Sequence, residues 1–251
     1  MQISSDIARM LDPVLFAQAC EITPDPWQAD LLRSTAARAL LLCSRQSGKT
    51  TTTSLIALHC AVYTAGALVV VVSPSQRQSA EMLRTIKLLH GKLVGAPALV
   101  TESVLKLELA NGSRILALPG TEKTIRGLAG AALVIIDEAS RVEDELLAAV
   151  RPMLATNARG RLIALTTPNG KRGFFFEAWH DNADGNPWHR VRVAAEDCPR
   201  ISPAFLADEL RSLGATRYSE EYGLQFVDSN MSAFPTTIID RAFTSEVRPL
   251  W

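Results

Sequence analysis

Residues 39–53 read ALLLCSRQSGKTTTT: an apolar run, a small polar loop and the opening of a helix. Leu40, Leu41, Leu42 and Cys43 suit a strand buried on both faces, and residues 44–48 supply a loop whose backbone N–H groups can close around a phosphate. In that loop Gly48 lets the backbone approach the anion and Lys49 brings a point charge to the β- and γ-phosphates. Thr50 offers a hydroxyl to Mg²⁺ where the helix starts. The general phosphate-loop pattern has Gly five positions before Gly48, whereas this chain has Cys43, so the surrounding sequence must carry the assignment.

A chain of 251 residues can bury one sizeable core or two small ones, with a single α/β domain and an appendage as the default. Its apolar fraction of 47% and charged fraction of 21% belong to a soluble globular protein, and its apolar runs are of strand length. Residues 1–19 lack the basic start and continuous apolar centre of a secretory signal. The four cysteines, Cys20, Cys43, Cys60 and Cys198, have no paired spacing, which argues against zinc or a disulfide framework and for a reducing compartment. Basic and acidic residues balance at 26 each, so no global charge draws the chain to nucleic acid.

The order of elements predicts a parallel α/β sheet. An amphipathic helical stretch at 7–20, interrupted at Pro13, precedes Pro24, Pro26, Trp27 and Gln28, and a helical run is expected over 29–39. Gln28 carries an amide able to pair with the N6/N7 edge of adenine. After the loop come a helix at 50–63, a strand at 67–73 and a helix at 76–90, then a hairpin over 104–118 with Asn111-Gly112 at its turn. A polar connector, 121–130, leads to Leu133-Val-Ile-Ile-Asp137-Glu138, which places two carboxylates at the C-terminal end of a central strand, where open α/β sheets hold ligands. Asp137 can hold a metal through its water shell, and Glu138 can orient or deprotonate an attacking water. A helix at 143–155 and a strand at 161–166 follow, ending in Thr166-Thr167-Pro168. Those hydroxyls either sense a γ-phosphate or are satisfied turn residues. The remainder reads as an aromatic helix at 174–179, a strand at 188–194, helices at 203–213 and 216–225, and an arm over 228–251.

Trp27-Gln28, the loop Ser44-Arg45-Gln46-Ser47-Gly48-Lys49-Thr50, the strand ending Asp137-Glu138-Ala139, and Leu165-Thr166-Thr167-Pro168 resemble, in this order, the ATPase domain of the large terminase subunit of tailed bacteriophages. Arg45 and the missing first glycine match that family's variant of the loop. Further matches are the Asn111-Gly-Ser turn, Ile125-Arg126-Gly127, the aromatic run from Gly173, and Tyr218 to Tyr222 with Phe226. The resemblance implies an ASCE-type P-loop NTPase with a mostly parallel sheet flanked by helices. Residues 1–200 would form the ATPase domain, comprising a helical segment with the adenine motif (1–38) and the nucleotide core (39–200). Residues 201–251 would form a small helical lid or linker.

Carried over by position, the resemblance implies ATP and Mg²⁺ as ligands. Gln28 would contact adenine, and Ser44, Arg45, Gln46, Ser47, Gly48, Lys49, Thr50 and Thr51 would surround the phosphates. Thr50 and Asp137 would hold the metal, Glu138 would be the catalytic carboxylate, and Thr166 and Thr167 would couple hydrolysis to movement. Two arginines compete for the finger that stabilises charge on the transferring phosphoryl group: Arg45 within the loop and Arg126, reaching a neighbouring subunit. The implied activity is a motor driving double-stranded DNA into a procapsid, as a ring, expected to be pentameric, with a portal protein and a small terminase subunit. It would act in the cytoplasm of the infected bacterium, with no membrane partner. The alternatives are a helicase-like DNA translocase and an ATP-dependent assembly switch. Full-length relatives continue into an RNase H-like nuclease, and Asp228 with Asp240 does not make its carboxylate site, so no nuclease domain is expected in these residues.

Overall fold

The structure, a computed structural model, describes residues 2–120, 125, 127–228 and 242. Its strands are β1 (Arg38–Cys43), β2 (Leu68–Ser73), β3 (Leu99–Glu102), β4 (Lys106–Leu109), β5 (Arg114–Pro119), β6 (Leu133–Asp137), β7 (Arg161–Thr166) and β8 (His189–Val193). They form one sheet in the order β3-β4-β5-β2-β6-β7-β1-β8. All pairings from β5 to β8 are parallel, while β4 pairs antiparallel with both β3 and β5. The hairpin therefore extends one edge, as expected. Strand β3 went unread because three of its four residues are exposed, leaving no alternation to detect.

Why these strands run parallel follows from what covers them. The helices are α1 (Gln2–Leu11), α2 (Pro13–Ala19), α3 (Pro26–Arg33), α4 (Lys49–Tyr63), α5 (Gln76–Lys92), α6 (Glu145–Leu154), α7 (Gly173–His180) and α8 (Pro203–Glu221). Alternate strand residues go to opposite faces. Leu41, Val69, Val71, Ile135 and Ile163 pack with Phe16, Leu31, Leu55, Leu58 and Ile86, from α2, α3, α4 and α5. Leu40, Leu42, Val70, Ile136 and Ala164 pack with Leu146, Val150, Met153 and Phe175, from α6 and α7. Both faces are thus covered, which is why the central strands are apolar throughout.

Register sets the site. Leu42 lies opposite Thr166, and Asp137 lies opposite Leu165, so β1, β7 and β6 end at one level. The loop strand β1 and the acid-bearing β6 are separated by β7. This is the mostly parallel, helix-flanked P-loop fold anticipated from the sequence.

Two local readings are corrected. The helical run expected over 29–39 stops at Arg33, because Ser34 is extended and its hydroxyl accepts from the Ala36 N–H (3.3 Å), a local bond that competes with the helix. The two helices expected at 203–213 and 216–225 are the two parts of α8, divided by the non-helical Gly214 (φ 75°, ψ 163°) as the sequence reading has it, but the second ends at Glu221 and not at 225. The arm beyond Asp228, residue 242 apart, and the connector residues 121–124 and Arg126 lie outside the described residues, as does Asp240.

The Asn111-Gly112 turn does more than reverse the chain. Asn111 Nδ2 donates to the carbonyls of Ala61 (2.9 Å) and Val62 (3.0 Å), two of the end groups that α4 leaves without a helical partner. Ser113 Oγ donates to Thr64 O (2.8 Å) and accepts from Ala67 N (3.1 Å). The hairpin is thereby fastened to the far end of the helix that begins at the loop. Asn111→Ala removes both bonds to α4 and is expected to destabilise the fold by about 1–3 kcal/mol, at roughly 0.5–1.5 kcal/mol per bond, read from urea unfolding midpoints.

Candidate nucleotide and metal site

The polypeptide leaves β1 at Cys43 and makes a closed loop before α4. Ser47 Oγ donates to Ser44 O (2.9 Å), and Ser44 N donates to Val193 O on the edge strand β8 (2.9 Å). Gln46 (φ 60°) and Gly48 (φ 88°) both adopt left-handed backbone. At Gly48 an added Cβ would lie 2.7 Å from Gln28 Nε2 and 3.0 Å from Arg200 Nη2, so the ends of both side chains would have to shift. These two side chains brace the loop. Gln28 Nε2 makes a long bond to Gly48 O (3.5 Å) while its Oε1 accepts from Asp25 N (2.8 Å). Arg200 Nη2 donates to Ser47 O (2.9 Å) and Nη1 to Asp25 Oδ1 (2.9 Å).

Opposite the loop, Asp137 ends β6 nearly buried, at 7% exposure. Burial, then the neighbouring Glu138 charge, pushes its pKa up from 3.8 to about 6, against the pull of Lys49. Between those two values the folded chain keeps a proton that the unfolded chain has lost, so this group's contribution to stability falls as pH rises through that window. Glu138 itself has left-handed backbone (φ 52°, ψ 45°), and its N–H donates to Asp137 Oδ1 (3.0 Å). For a non-glycine residue this conformation costs about 1–2 kcal/mol, which marks the turn as imposed by its surroundings. Its carboxylate lies between two cations, with Oε1 3.7 Å from Lys49 Nζ and Oε2 2.7 Å from Arg141 Nη1.

Arg141 is the residue the sequence reading missed. It sits in the short turn Ala139–Arg141 and also donates from Nη1 to Thr167 Oγ1 (3.0 Å), while its Nη2 lies 4.0 Å from Glu221 Oε1 at the end of α8. Thr166 Oγ1 donates to Thr167 O (2.7 Å) and accepts from Ser140 N (3.2 Å), and Asn169 Nδ2 donates to Ser140 O (3.1 Å). The segment after β7 is therefore stitched to the turn after β6. Glu221 in turn holds Arg45 in a two-pronged pair, Nε to Oε2 at 2.7 Å and Nη2 to Oε1 at 2.9 Å. The only sequence sign of Arg141 was its place three residues after Glu138; Glu221 and Arg200 are 176 and 153 residues from their loop partners and carried no local signal.

The structure thus brings together Ser44, Arg45, Gln46, Ser47, Gly48, Lys49, Thr50, Thr51, Asp137, Glu138, Thr166 and Thr167 at one end of the sheet, with Gln28 behind the loop. Arg126 lies outside the described residues. Among the described residues no group of three or more His, Cys, Asp or Glu is placed to hold a metal. Mg²⁺, however, keeps several waters and takes phosphate oxygens, so one carboxylate and one hydroxyl suffice on the protein side. Asp137 fits that demand: its carboxylate is nearly buried, and the pull of Lys49 does not outweigh the cost of burying its charge, which an added cation would offset.

A glycine-governed loop between strand and helix, with paired carboxylates two strands away, defines a P-loop NTPase. A family model described as the N-terminal part of the terminase large subunit, T4likevirus type, matches residues 40–241, and the chain belongs to that family. In architecture it is similar to the large terminase ATPase domain of Thermus phage P74-26, at 19% identity and a TM-score of 0.69, over 84% of this chain and 97% of that one. The bacteriophage HK97 large terminase matches at 18% and 0.66, over 81% of this chain and 50% of that one. The large terminase of the thermophilic bacteriophage D6E in complex with ADP matches at 12% and 0.65, over 87% and 53%. The chain spans nearly all of the P74-26 domain and about half of the two longer terminases.

Gly48→Ala tests the loop directly. Left-handed strain of about 1–2 kcal/mol, added to the clash with Gln28, is expected to weaken ADP binding at least about tenfold in isothermal titration calorimetry. Undiminished affinity would show that this loop is not the phosphate cradle.

Proposed function

We propose that this chain is the ATP-hydrolysing motor domain of a DNA-packaging terminase, driving double-stranded DNA into a procapsid. The observation that carries the reading is the convergence of Lys49, Asp137, Glu138 and the Thr166-Thr167 segment at one end of the sheet, in a chain of the terminase large-subunit family.

In this reading the loop N–H groups and Lys49 hold the β- and γ-phosphates, and Gln28 turns its amide to adenine, giving up the long bond to Gly48 O. Thr50 and Asp137 would hold Mg²⁺, which when bound supplies charge to offset the phosphates. Glu138 orients and deprotonates the attacking water. While Lys49 and Arg141 flank it, its carboxylate is engaged by two cations; when phosphate takes Lys49, only Arg141 still holds it. Arg141 is then a positioning residue, linking the carboxylate to Thr167 and, through Glu221, to α8. The Arg45 pair with Glu221 must break before Arg45 can reach a phosphate, which favours Arg126, supplied by a neighbouring subunit of a ring, as the finger. Portal protein, small terminase subunit and duplex DNA are the partners, met at the procapsid portal in the host cytoplasm. Arg77, Arg84 and Lys171 are the candidates for gripping DNA phosphates; Arg84 lies 3.8 Å from Glu81 and Lys171 3.3 Å from Asp228, whereas Arg77 forms no ion pair among the described residues.

Glu138→Gln is expected to keep ATP binding and lose hydrolysis by at least about a hundredfold, the lower end for removing a general base; turnover at the parent rate would remove Glu138 from its assigned role. Arg141→Ala is expected to lower turnover about tenfold with little change in ATP affinity, and Arg141→Lys to recover part of it, as read by the split between kcat and KM. Mixing Arg126→Ala with Glu138→Gln subunits should restore part of the ATPase activity if the finger acts between subunits. Absence of rescue in demonstrably mixed rings would favour Arg45.

A further inference from the structure

A cavity bordered by the described residues lies at the end of the sheet opposite the phosphate loop, where β6 and β7 begin. It has a volume of about 660 Å³, within the range of pockets that enclose a small molecule. Leu11, Pro13, Leu32 and Ile56 give it apolar walls. No Asp or Glu lines it, yet three arginines do.

The three cations are not equivalent. Arg33 is neutralised by Asp12, which accepts from Nε at 3.0 Å and from Nη2 at 2.8 Å. Arg159 is exposed and has no ion pair among the described residues; its backbone is fixed by a tight turn, with Arg159 N donating to Asn157 Oδ1 (3.0 Å) and Gly160 N to Asn157 O (2.9 Å). Arg161 is half-buried. Its Nε donates to Ala36 O (3.2 Å), and no carboxylate pairs with its guanidinium among the described residues. The remaining titratable groups facing it add no negative charge: burial keeps the His59 ring toward its neutral form and pushes the Cys60 thiol up to about 11.

An unpaired cation in such a place is costly, and buried polar groups are otherwise nearly all satisfied in folded chains. A lysine could shed its proton; a guanidinium does not. The economical resolution is an anion that enters the cavity, and the apolar walls select one with an apolar body. We propose that this cavity is a second ligand site, separate from the phosphate loop, which takes a small amphipathic oxyanion, a carboxylate or phosphate monoester on an apolar group, held by Arg161 and Arg159. The two sites share α4, which runs from Lys49 at the loop to Ile56 and Cys60 at the cavity.

The test is calorimetric titration of the chain, with its phosphate loop saturated by ADP, using phenyl phosphate, phenylacetate and benzyl alcohol as probes. Saturable one-site binding is expected for at least one of the two anions and not for the neutral alcohol, and the stronger anion tells phosphate from carboxylate chemistry. Affinity should drop at least about tenfold in Arg159→Ala and in Arg161→Gln, and the Ile56 methyl resonance should shift on titration. If Arg161→Gln fails to fold, Arg159→Ala and the Ile56 shift decide. Absence of saturable binding by either anion, release of the bound ADP by the anion, equal binding of the alcohol, an unmoved Ile56 resonance, or unchanged affinity in Arg159→Ala would overturn the proposal.

Discussion

A carboxylate buried at the end of an apolar strand is the constraint around which this site is arranged. Asp137 continues the run Leu133 to Ile136 and is nearly sealed, and burial makes its charged form expensive. The chain offsets that cost in part through the Glu138 N–H and Lys49. The Lys49 charge reaches Asp137 only because β1, β7 and β6 end in register. A slip of one residue in the β6–β7 pairing would turn Asp137 to the opposite face and take it out of line with Leu165.

The same constraint accounts for the turn after β6. The buried strand has to end abruptly to bring a second carboxylate into the open, and the left-handed backbone at Glu138 does this. A strained turn persists only where its surroundings over-determine it. Here Arg141 supplies two bonds, to Glu138 and Thr167, and Ser140 supplies two more, to Thr166 and Asn169. The C-terminal ends of β6 and β7 thus behave as one unit, and Glu221 ties that unit to both Arg45 and the last helix.

How much of this was legible in sequence depends on the range of the interaction. The central strands, the loop and the Asp137-Glu138 pair stood out because each is set by residues adjacent in the chain: continuous apolar runs, a Gly at a turn, acids at a strand end. Arg141, Arg200 and Glu221 were invisible in those terms. Each is an ordinary charge on a polar segment until the fold carries it to a partner, and nothing local separates Arg200 from, say, Arg159. Gln28 was legible as a residue of interest, but its capping of α3 and its bracing of Gly48 were not, since the second partner lies 20 residues away. The hairpin turn was read correctly from Asn111-Gly112, yet the role of Asn111 as a cap for α4 depends on where that helix ends in space.

The start of α4 shows why the loop is braced from outside. Four threonines, Thr50 to Thr53, open this helix, and β-branched residues are poor helix formers. Thr52 Oγ1 donates to Gly48 O (3.0 Å), and Thr53 Oγ1 donates to Lys49 O (3.1 Å) and Thr50 O (3.2 Å), so the buried hydroxyls are satisfied by carbonyls of the first turn. None of these bonds uses a backbone N–H. The first N–H groups of a helix have no internal partner, and a side-chain cap would compete for them; Gly48 at the cap position offers none. A helix start kept open for an anion in this way forgoes the usual local stabilisation. Its conformation is then held by contacts from elsewhere, which are the bonds that Gln28, Arg200 and Glu221 make to the loop.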